Sequence, residues 1–553
     1  MNRNIKRNMM GILTAALLLT VLAACEAAGG GGGGAAQGDF VRTSWSDPFP
    51  EMITVTVPVN EIPSAVFAEG EDFHDNLWTR RWREEYNINM EVVWVSSDYE
   101  LSMNLAIAAG DLPDMFTVNA VQFSQLLEAN LAEDITDVVN NYGSPALGRQ
   151  LRDESAIFET AQRNGRTYAL PHLHWGFITQ APFMWVRKDW YEQAGSPEIR
   201  TVADVEMLMD TFSRDNGATL GTTLHNELFS FFVSSPMWHA TARGGGNGNV
   251  FWVDDGAGGL MAGYELPEML DALAAWRRWY EMGKIREDFA TLEWETMNAA
   301  VVNGDTGILF SMNWAAWGWQ NVVENFGPDS YMLALPLPTV DGRPVSIPVN
   351  FANYGYNVVL RGFEHPEIMP ILVSDYLYII NEAPLTGSIP SEELLLFSTN
   401  EMHHVMGPFR MTVPHYHDVI DVYNAMSAHE RGETHEFTSG GFAVTFFDEV
   451  QQWTEHGNIV GLGRYAQMGH HFASLVVGVR YVENGQMLYT GAWGADPQDL
   501  LDLRSITDSI ILEGAVRIIM GLDPLEHWDT ILEDWRQAGG NTMTQAVNQY
   551  FGN

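Results

Sequence analysis

The chain contains 553 residues, of which 46% are hydrophobic and 18% are charged. A chain of this length is too long for one compact core, so the composition predicts a soluble, well-packed body of two or more domains. The formal net charge of −42 at pH 7 argues against a nucleic-acid-binding protein and against electrostatic attachment to anionic lipid.

The first 24 residues have the pattern of an export signal. Three basic residues precede an uncharged run from Met9 to Ala24, which corresponds to the basic and apolar regions of a signal peptide. A permanent transmembrane helix needs roughly 20 apolar residues, more than this run supplies. A plain transmembrane anchor is the alternative interpretation, and we expect a signal peptide.

The chain's single cysteine, Cys25, follows this run directly in the sequence LAAC. The four residues resemble a bacterial lipobox, in which the cysteine receives a diacylglyceryl group and becomes the first residue of the mature protein. The resemblance implies an exported protein that is lipid-anchored through Cys25 to the outer face of the cell membrane. Residues 25–48 are rich in Gly and Ala, so we expect a flexible tether that spans roughly 25 Å.

The next part of the chain alternates between strand and helix patterns. Alternating β-branched residues predict strands, and helical spacing separates them. Such an order predicts a parallel sheet with helices on its faces, and ligands of these sheets usually sit beyond the carboxyl ends of the strands. The predicted elements are strand Ile53–Val59, helix His74–Tyr86, strand Met90–Val95, helix Tyr99–Ala109 and strand Met115–Val118.

Six short segments, taken together and in order, resemble one known family, the extracellular solute-binding proteins of ABC importers. The likeness is greatest to the large lipoproteins of sugar and oligosaccharide uptake, which are related to maltose-binding proteins, and it covers nearly the whole mature chain. It implies an α/β, two-lobed, periplasmic-binding-protein-like fold (type II) with a hinge and a ligand cleft between the lobes. The segments are LAIAAGDLPDMF (Leu105–Phe116), NGRTYALP (Asn164–Pro171), MWVRKDWYEQAG (Met184–Gly195), NGDTGILFSMNWAAWGW (Asn303–Trp319), HPE (His365–Glu367) and IIMGLDPLEHWDTILEDWRQAGG (Ile518–Gly540).

In that family the chain crosses between the lobes more than once. The resemblance implies a first crossing near residues 168–175 and a second in the Pro-rich stretch 336–349, where proline disfavours helix and interior strand. The return crossing falls within 385–445, a region without a clear period. The expected lobes are 50–170 with about 345–440 for lobe one, and 176–340 with about 441–553 for lobe two.

A carbohydrate site stacks aromatic rings on the apolar faces of sugars and directs polar side chains at their hydroxyls. By resemblance to maltose-binding proteins, Trp317 in NWAAWGW aligns with a turn tryptophan that stacks on sugar, and Trp314 and Trp319 lie beside it. For each aromatic candidate, packing in a core is the alternative role. The other candidate ligand contacts are Trp238 in SSPMWHA, Asn119 and Gln122 after GDLPDMFTV, His174 and Trp175 at the first crossing, Asn353 and Tyr354 near the second, and Trp493.

Other kinds of site have weaker support in the sequence. No HExxH, GxSxG or phosphate-binding GxxxxGK[ST] motif occurs, so we expect no metal, no cofactor and no nucleotide. The stretch 213–221 resembles a calcium loop of some relatives but keeps only Asp215, so no calcium is expected there. Asp111 and Asp114 in the turn GDLPD are expected to have a structural role in the turn and as a helix or strand cap.

Together these observations predict a monomeric substrate-binding lipoprotein of an ABC importer. It would capture a carbohydrate, in particular an oligosaccharide, close around it by hinge motion and deliver it to permease subunits in the membrane. The protein would act by binding and not as an enzyme. The alternatives are an exported carbohydrate-active hydrolase or lyase, which would need two carboxylates about 5–10 Å apart, and a binding protein for peptide or another polar solute.

Overall fold

The computed structural model describes residues 44–61, 67–153, 155–173, 177–226, 228–242, 250–349, 353–390, 397, 411, 416–439, 441–492 and 498–551. The predicted signal, Cys25 and the tether up to residue 43 lie outside the described residues, as do His174, Trp175 and Trp493. For Asn353 and Tyr354 only the backbone is described.

Strands and helices are interspersed as far as β13, and helices predominate after it. The strands are β1 (Ile53–Asn60), β2 (Ile88–Ser96), β3 (Met115–Val118), β4 (Gln162–Arg163), β5 (Arg166–Thr167), β6 (Ala169–Leu173), β7 (Pro182–Arg187), β8 (Trp252–Asp254), β9 (Leu260–Ala262), β10 (Ile308–Met312), β11 (Met332–Leu335), β12 (Ile347–Val349), β13 (Asn353–Val359) and β14 (Met487–Tyr489). The helices are α1 (Leu77–Tyr86), α2 (Tyr99–Ala109), α3 (Ala120–Glu128), α4 (Thr136–Tyr142), α5 (Pro145–Asp153), α6 (Ser155–Glu159), α7 (Lys188–Gln193), α8 (Val202–Asn216), α9 (Phe229–Ser234), α10 (Glu268–Glu281), α11 (Trp294–Val302), α12 (Trp319–Phe326), α13 (Ile368–Leu377), α14 (Ala383–Thr386), α15 (Tyr416–Glu430), α16 (Gly441–Thr454), α17 (Leu462–Met468), α18 (Ser474–Glu483), α19 (Gln498–Ile519), α20 (Trp528–Trp535) and α21 (Asn541–Phe551).

The local signals near the start of the body are confirmed. Helix α1 begins after Asn76, whose side chain forms a capping box with Thr79 and so satisfies free backbone donors. Helix α2 ends at Gly110, which has a left-handed φ of 69°, a conformation that glycine adopts at little cost. Asp114 accepts hydrogen bonds from the backbone nitrogen and the hydroxyl of Thr56, at 2.8 and 2.6 Å, and so joins β1 to the turn before β3.

The sheets combine nearby strands with strands from distant parts of the chain. Strands β1 and β2 pair in parallel, as the strand, helix, strand order predicts. Strand β3 instead pairs antiparallel with β13, which lies between β3 and β6. The sequence order of the first elements could not reveal this pairing, because β13 returns from much later in the chain. A second three-stranded sheet has the order β10, β7, β11 and is antiparallel.

Buried side chains form separate cores on the two sides of the chain crossings. One set comes from residues 49–173 and 356–411, and the other comes from 181–349 and 462–547. The chain passes from the first set to the second between β6 and β7, and it returns between β12 and β13.

A third cluster joins α15, α16 and α18 with Ile178, which follows the first crossing. The sequence analysis placed residues up to about 440 with lobe one, whereas α15 packs against α16, α17 and α18. Helix α16 also contacts residues 378–386 of the first set. The late part of the chain therefore contacts both sets of core residues. Within the described residues, no helix has both the length and the apolarity to cross a membrane.

Candidate functional site

Two exposed tryptophans lie on a short 3₁₀ helix, Asn313–Gly318, that directly follows β10. Trp314 and Trp317 are 37% and 46% exposed, although they are large apolar side chains. Between them, Ala315 and Ala316 are buried against the core. A 3₁₀ helix has about three residues per turn and rises about 2 Å per residue, so positions three apart lie on one face, about 6 Å apart along the axis. The turn therefore presents two tryptophans on its outer face.

Trp317 is supported from behind by helix α17. The helix passes so close to the indole that a Cβ added at Gly463 would lie 2.4 Å from Cε3 of Trp317. The guanidinium carbon of Arg464 lies 5.2 Å from the centre of the indole ring, within the range of a cation–π interaction. The backbone of Gly463 and the side chain of Arg464 therefore cover the inner side of the Trp317 ring.

Arg464 is itself held by several groups and is only 7% exposed. Its Nε donates to Oε2 of Glu449 at 2.7 Å, and its Nη1 donates to Oε1 of Gln467 at 3.0 Å. The ring of Phe446 also lies close, 3.8 Å from the guanidinium carbon. Burial lowers the pKa of Arg464 and the carboxylate of Glu449 opposes this change, while an arginine keeps its charge at neutral pH. The cation is therefore fixed beside the indole.

The same helix also fixes the beginning of the aromatic turn. Nε2 of Gln467 donates to Oδ1 of Asn313 at 3.0 Å. Nδ2 of Asn313 in turn donates to the backbone oxygen of Thr179 at 2.7 Å. Thr179 belongs to a 3₁₀ turn, Phe177–Gln180, immediately after the first crossing. Side-chain amides thus connect helix α17, the aromatic turn and the crossing segment.

Trp314 is supported by a different residue, Trp294 of helix α11. Its ring meets the ring of Trp294 edge to face, with centroids 4.5 Å apart and an interplanar angle of 62°, an arrangement that favours aromatic attraction. Trp294 is half-buried at the start of α11 and contacts the imidazole of His225 edge to face, at 6.0 Å between centroids. Two different helices, α11 and α17, therefore position the two exposed tryptophans.

Trp238 occupies a different environment from Trp314 and Trp317. It is 3% exposed and meets Trp279 of α10 edge to face, with centroids 5.7 Å apart. This is the core-packing role that the sequence analysis left open. Trp319, the third tryptophan of NWAAWGW, is also fully buried and packs on Trp185.

The two polar candidates of the first set of core residues make local hydrogen bonds. Asn119 caps α3 through its side-chain oxygen and donates to Oε1 of Glu100 at 2.8 Å. Gln122 is buried, completes the capping box, and donates to Oδ1 of Asn104 at 2.9 Å. These bonds give both residues a structural role at the start of α3. The structure does not bring them to the aromatic turn by any contact among the described side chains.

The backbone of Asn353 lies opposite Leu173 in the β13–β6 pairing. It therefore lies at the end of the strand that leads into the first crossing. Among the described residues, no group of three or more His, Cys, Asp or Glu side chains is placed to hold a metal ion.

The sequence analysis missed the supporting residues of the turn, namely Gly463, Arg464, Gln467 and Trp294. The segment GLGRYAQM has only weak signals, because a glycine in a helix and a single arginine each have several common explanations. The chain has few cationic side chains, 29 Lys and Arg against 71 Asp and Glu. The sequence does not show which of them is buried, so Arg464 could not be singled out.

The comparison with known proteins agrees with this architecture. The model of the family described as bacterial extracellular solute-binding protein matches residues 64–361, more than half of the chain. The chain belongs to this family. The chain is also similar to the lipoprotein LipO of Bacillus subtilis, with 22% identity over 496 residues that cover 84% of this chain and 86% of the relative.

Solved structures of similar proteins establish the fold. An extracellular solute-binding protein from Bifidobacterium longum subsp. infantis has a TM-score of 0.58 at 12% identity, covering 91% of this chain and 99% of the other. An HMO-binding solute-binding protein associated with an ABC transporter, from Bifidobacterium longum infantis, has a TM-score of 0.57 at 13% identity, with 91% and 100% covered. An alginate-binding protein has a TM-score of 0.53 at 12% identity, with 91% and 99% covered. The predicted two-lobed, periplasmic-binding-protein-like fold is thus confirmed.

Proposed function

We propose that this solute-binding protein is the lipid-anchored receptor of an ABC importer and that it captures an oligosaccharide. The observation that carries the proposal is the pair of exposed tryptophans, Trp314 and Trp317, on one face of a short turn beside the first crossing. Aromatic rings of this kind match the apolar faces of sugar rings. Two rings on one face suit a ligand with more than one sugar unit.

The position of the turn supports a place in the ligand cleft. In a two-lobed protein the crossing segments form the floor of the cleft, and Asn313 is bonded to the segment that follows the first crossing. A ligand that contacts this turn and the opposite lobe would favour a closed form over an open one. The closed form would be the one that permease subunits recognise, and the protein would act as a monomer.

The amino terminus supplies the second part of the proposal. The apolar run and LAAC at Cys25 support export and lipid attachment, and the named relative of Bacillus subtilis is a lipoprotein. A tether of about twenty Gly-rich and Ala-rich residues would keep the body close to the membrane while leaving it free to rotate. Delivery to a permease in the same membrane would then require no long-range diffusion.

A thermal-shift screen of the full chain tests the proposal. The panel contains neutral fructo-, gluco- and galacto-oligosaccharides, alginate oligosaccharides, short peptides and amino acids. We expect an oligosaccharide to raise Tm in a concentration-dependent way and to be recovered unchanged after prolonged incubation. Recovery of shortened or unsaturated products would support the enzyme alternative, and a shift with peptides alone would support the polar-solute alternative. Either result would overturn the proposal.

A further inference from the structure

We infer that Gly463 and Arg464 of α17 set the orientation of Trp317 and thereby determine which ligands the aromatic turn accepts. Both residues are positioning residues, because they act on a ligand only through the indole ring. The inference rests on the proposed function for its consequence in binding. Its geometric part, the control of the ring by α17, stands on contacts within the protein.

The close approach at Gly463 is the first observation. A Cβ at this position would lie 2.4, 2.7 and 3.1 Å from Cε3, Cζ3 and Cδ2 of Trp317, and carbon atoms need about 3.5 Å or more. These three atoms belong to one rigid ring, so the indole must tilt or move as a unit if a side chain appears there. Glycine at 463 is therefore required for the present position of the ring.

The cation beside the ring is the second observation. Arg464 is bonded to Glu449 and Gln467, and its guanidinium lies close to the rings of both Phe446 and Trp317. A guanidinium held in this way attracts the indole and fills the space behind it. A ligand therefore meets Trp317 from the solvent side, while the inner side is already occupied.

The bond between Gln467 and Asn313 is the third observation. It fixes the first residue of the turn to the same helix that supports the ring. Helix α17 therefore contacts both the backbone of the turn and the side chain of Trp317. Because the hydrogen bond holds the turn in place, a substitution in α17 changes the angle of the indole and does not simply shift the whole turn. The distance between the rings of Trp314 and Trp317 would change with that angle.

The test uses the full chain labelled with 5-fluorotryptophan and observed by ¹⁹F NMR. The chain has 19 tryptophans, and the resonance that disappears in Trp317→Phe belongs to Trp317. We expect Gly463→Ala and Arg464→Met to move that resonance and to change its solvent-isotope shift, and Arg464→Lys to restore part of the change. Arg187→Met is the matched control, because Arg187 is also buried, ion-paired with Asp189 and close to two aromatic rings, those of Trp190 and Phe326, and neither ring belongs to the aromatic turn.

The consequence for binding is measured with the panel oligosaccharide that raises the Tm of the wild-type protein most. We expect Gly463→Ala to weaken its binding about fivefold, the factor that corresponds to about 1 kcal/mol, and to change the order of preference among panel members. Arg187→Met should leave affinity and order unchanged in the folded protein.

The outcomes separate this inference from the proposed function. An unmoved Trp317 resonance in both Gly463→Ala and Arg464→Met would overturn the inference whatever the affinities are. A moved resonance with unchanged affinity and preference would overturn the claim that α17 controls ligand choice. If no panel sugar binds the wild-type protein, the proposed function fails, and the positioning of Trp317 by α17 is then decided by the NMR result alone.

Discussion

Nδ2 of Asn313 donates a hydrogen bond to the backbone oxygen of Thr179 at 2.7 Å. The two residues are far apart in the chain, yet this bond fastens the aromatic turn to the segment that follows the first crossing. Asn313 is buried and is bonded to Gln467 as well, so its position is determined from two sides. A ligand that presses on the turn would therefore act directly on the part of the chain at which the lobes are connected.

Truncation of the exposed tryptophans is the most direct test of the candidate site. We expect Trp317→Ala to weaken oligosaccharide binding by on the order of 1–2 kcal/mol, about five- to thirtyfold in Kd, as buried aromatic contacts commonly do. Trp314→Ala is expected to have a smaller effect, because Trp314 is less exposed and already contacts Trp294. Isothermal titration calorimetry with the strongest panel oligosaccharide measures both changes.

Trp238 provides a control for these variants. Because Trp238 is buried against Trp279, Trp238→Ala is expected to lower the free energy of unfolding by about 3–5 kcal/mol. Its affinity for the oligosaccharide should stay near that of the wild type at a temperature where it is folded. Loss of binding in Trp238→Ala and unchanged binding in Trp317→Ala would contradict the assignment of the exposed turn.

Asp375 forms the centre of a buried polar network in the first set of core residues. Its carboxylate accepts from Arg81 at 2.7 Å, from Nε1 of Trp82 at 3.0 Å and from the hydroxyl of Tyr86 at 2.6 Å. Burial and the neighbouring carboxylate raise the pKa of Tyr86, which keeps its hydroxyl a donor. Asp375→Ala would leave the arginine charge uncompensated, so we expect a loss of about 3–5 kcal/mol in the free energy of unfolding.

Urea denaturation measures this loss. Asp215→Ala is the matched control, since Asp215 forms an exposed pair with Arg214, and exposed pairs contribute little. Equal stability of Asp375→Ala and Asp215→Ala would show that the buried network does not stabilise the fold.

His470 is expected to make the stability of the protein depend on pH. Burial lowers the pKa of His470 to about 3, and the positive charges of His471 and Lys188 act in the same direction. Its Nδ1 accepts from the backbone nitrogen of Phe472 at 3.2 Å, so the neutral ring carries its proton on the buried Nε2. The rings of Tyr465 and Tyr331 lie 4.7 and 5.8 Å away; they line the site without adding charge at neutral pH.

The sign of this effect follows from proton binding. The unfolded chain protonates His470 below about pH 6.5, whereas the folded protein resists protonation until about pH 3. The stabilising contribution is therefore present above pH 6.5 and is lost as the pH falls between these values, with a slope of up to about 1.4 kcal/mol per pH unit. His470→Asn keeps an acceptor for Phe472 and removes the titration. Urea denaturation at pH 7, 5.5 and 4.5 should show a shallower decline in this variant, and parallel declines would exclude a role for His470.

Cys25→Ser tests the predicted anchor. A serine hydroxyl cannot form the thioether through which a lipobox cysteine carries its lipid, so we expect the variant to incorporate no labelled fatty acid and to leave the membrane fraction. Metabolic labelling with an alkyne palmitate and cell fractionation measure these changes, with Trp317→Ala as a control that should remain lipidated. A Cys25→Ser protein that stays in the membrane fraction with label would show that the anchor lies elsewhere.

Local features of this fold could be predicted because they depend on a few neighbouring residues. The end of α2 at Gly110 follows from a left-handed position next to a helical run, and the parallel pairing of β1 and β2 follows from the helix that connects them. The family could be inferred from six short segments. Each segment alone is a weak match to the family, but their order along the chain is specific to it.

The pairing of β3 with β13 and the wall behind Trp317 could not be predicted in the same way. Each depends on segments that are distant in the chain, and neither segment carries a signal of its partner. Residues 313–319 and 234–240 illustrate the difficulty, since both place a tryptophan in a short turn after an apolar run. One tryptophan is nearly half exposed and the other is buried, and only the surrounding elements distinguish them.

The sequence by itself determined the export signal pattern, the family and the turn that holds the strongest aromatic candidate. The tertiary structure decided which tryptophans of the candidate set remain exposed and which residues hold them. The physical reason is that exposure and ring orientation depend on surfaces supplied by other parts of the chain: α10 covers Trp238, whereas Gly463 and Arg464 of α17 lie behind Trp317 and leave its outer side to solvent.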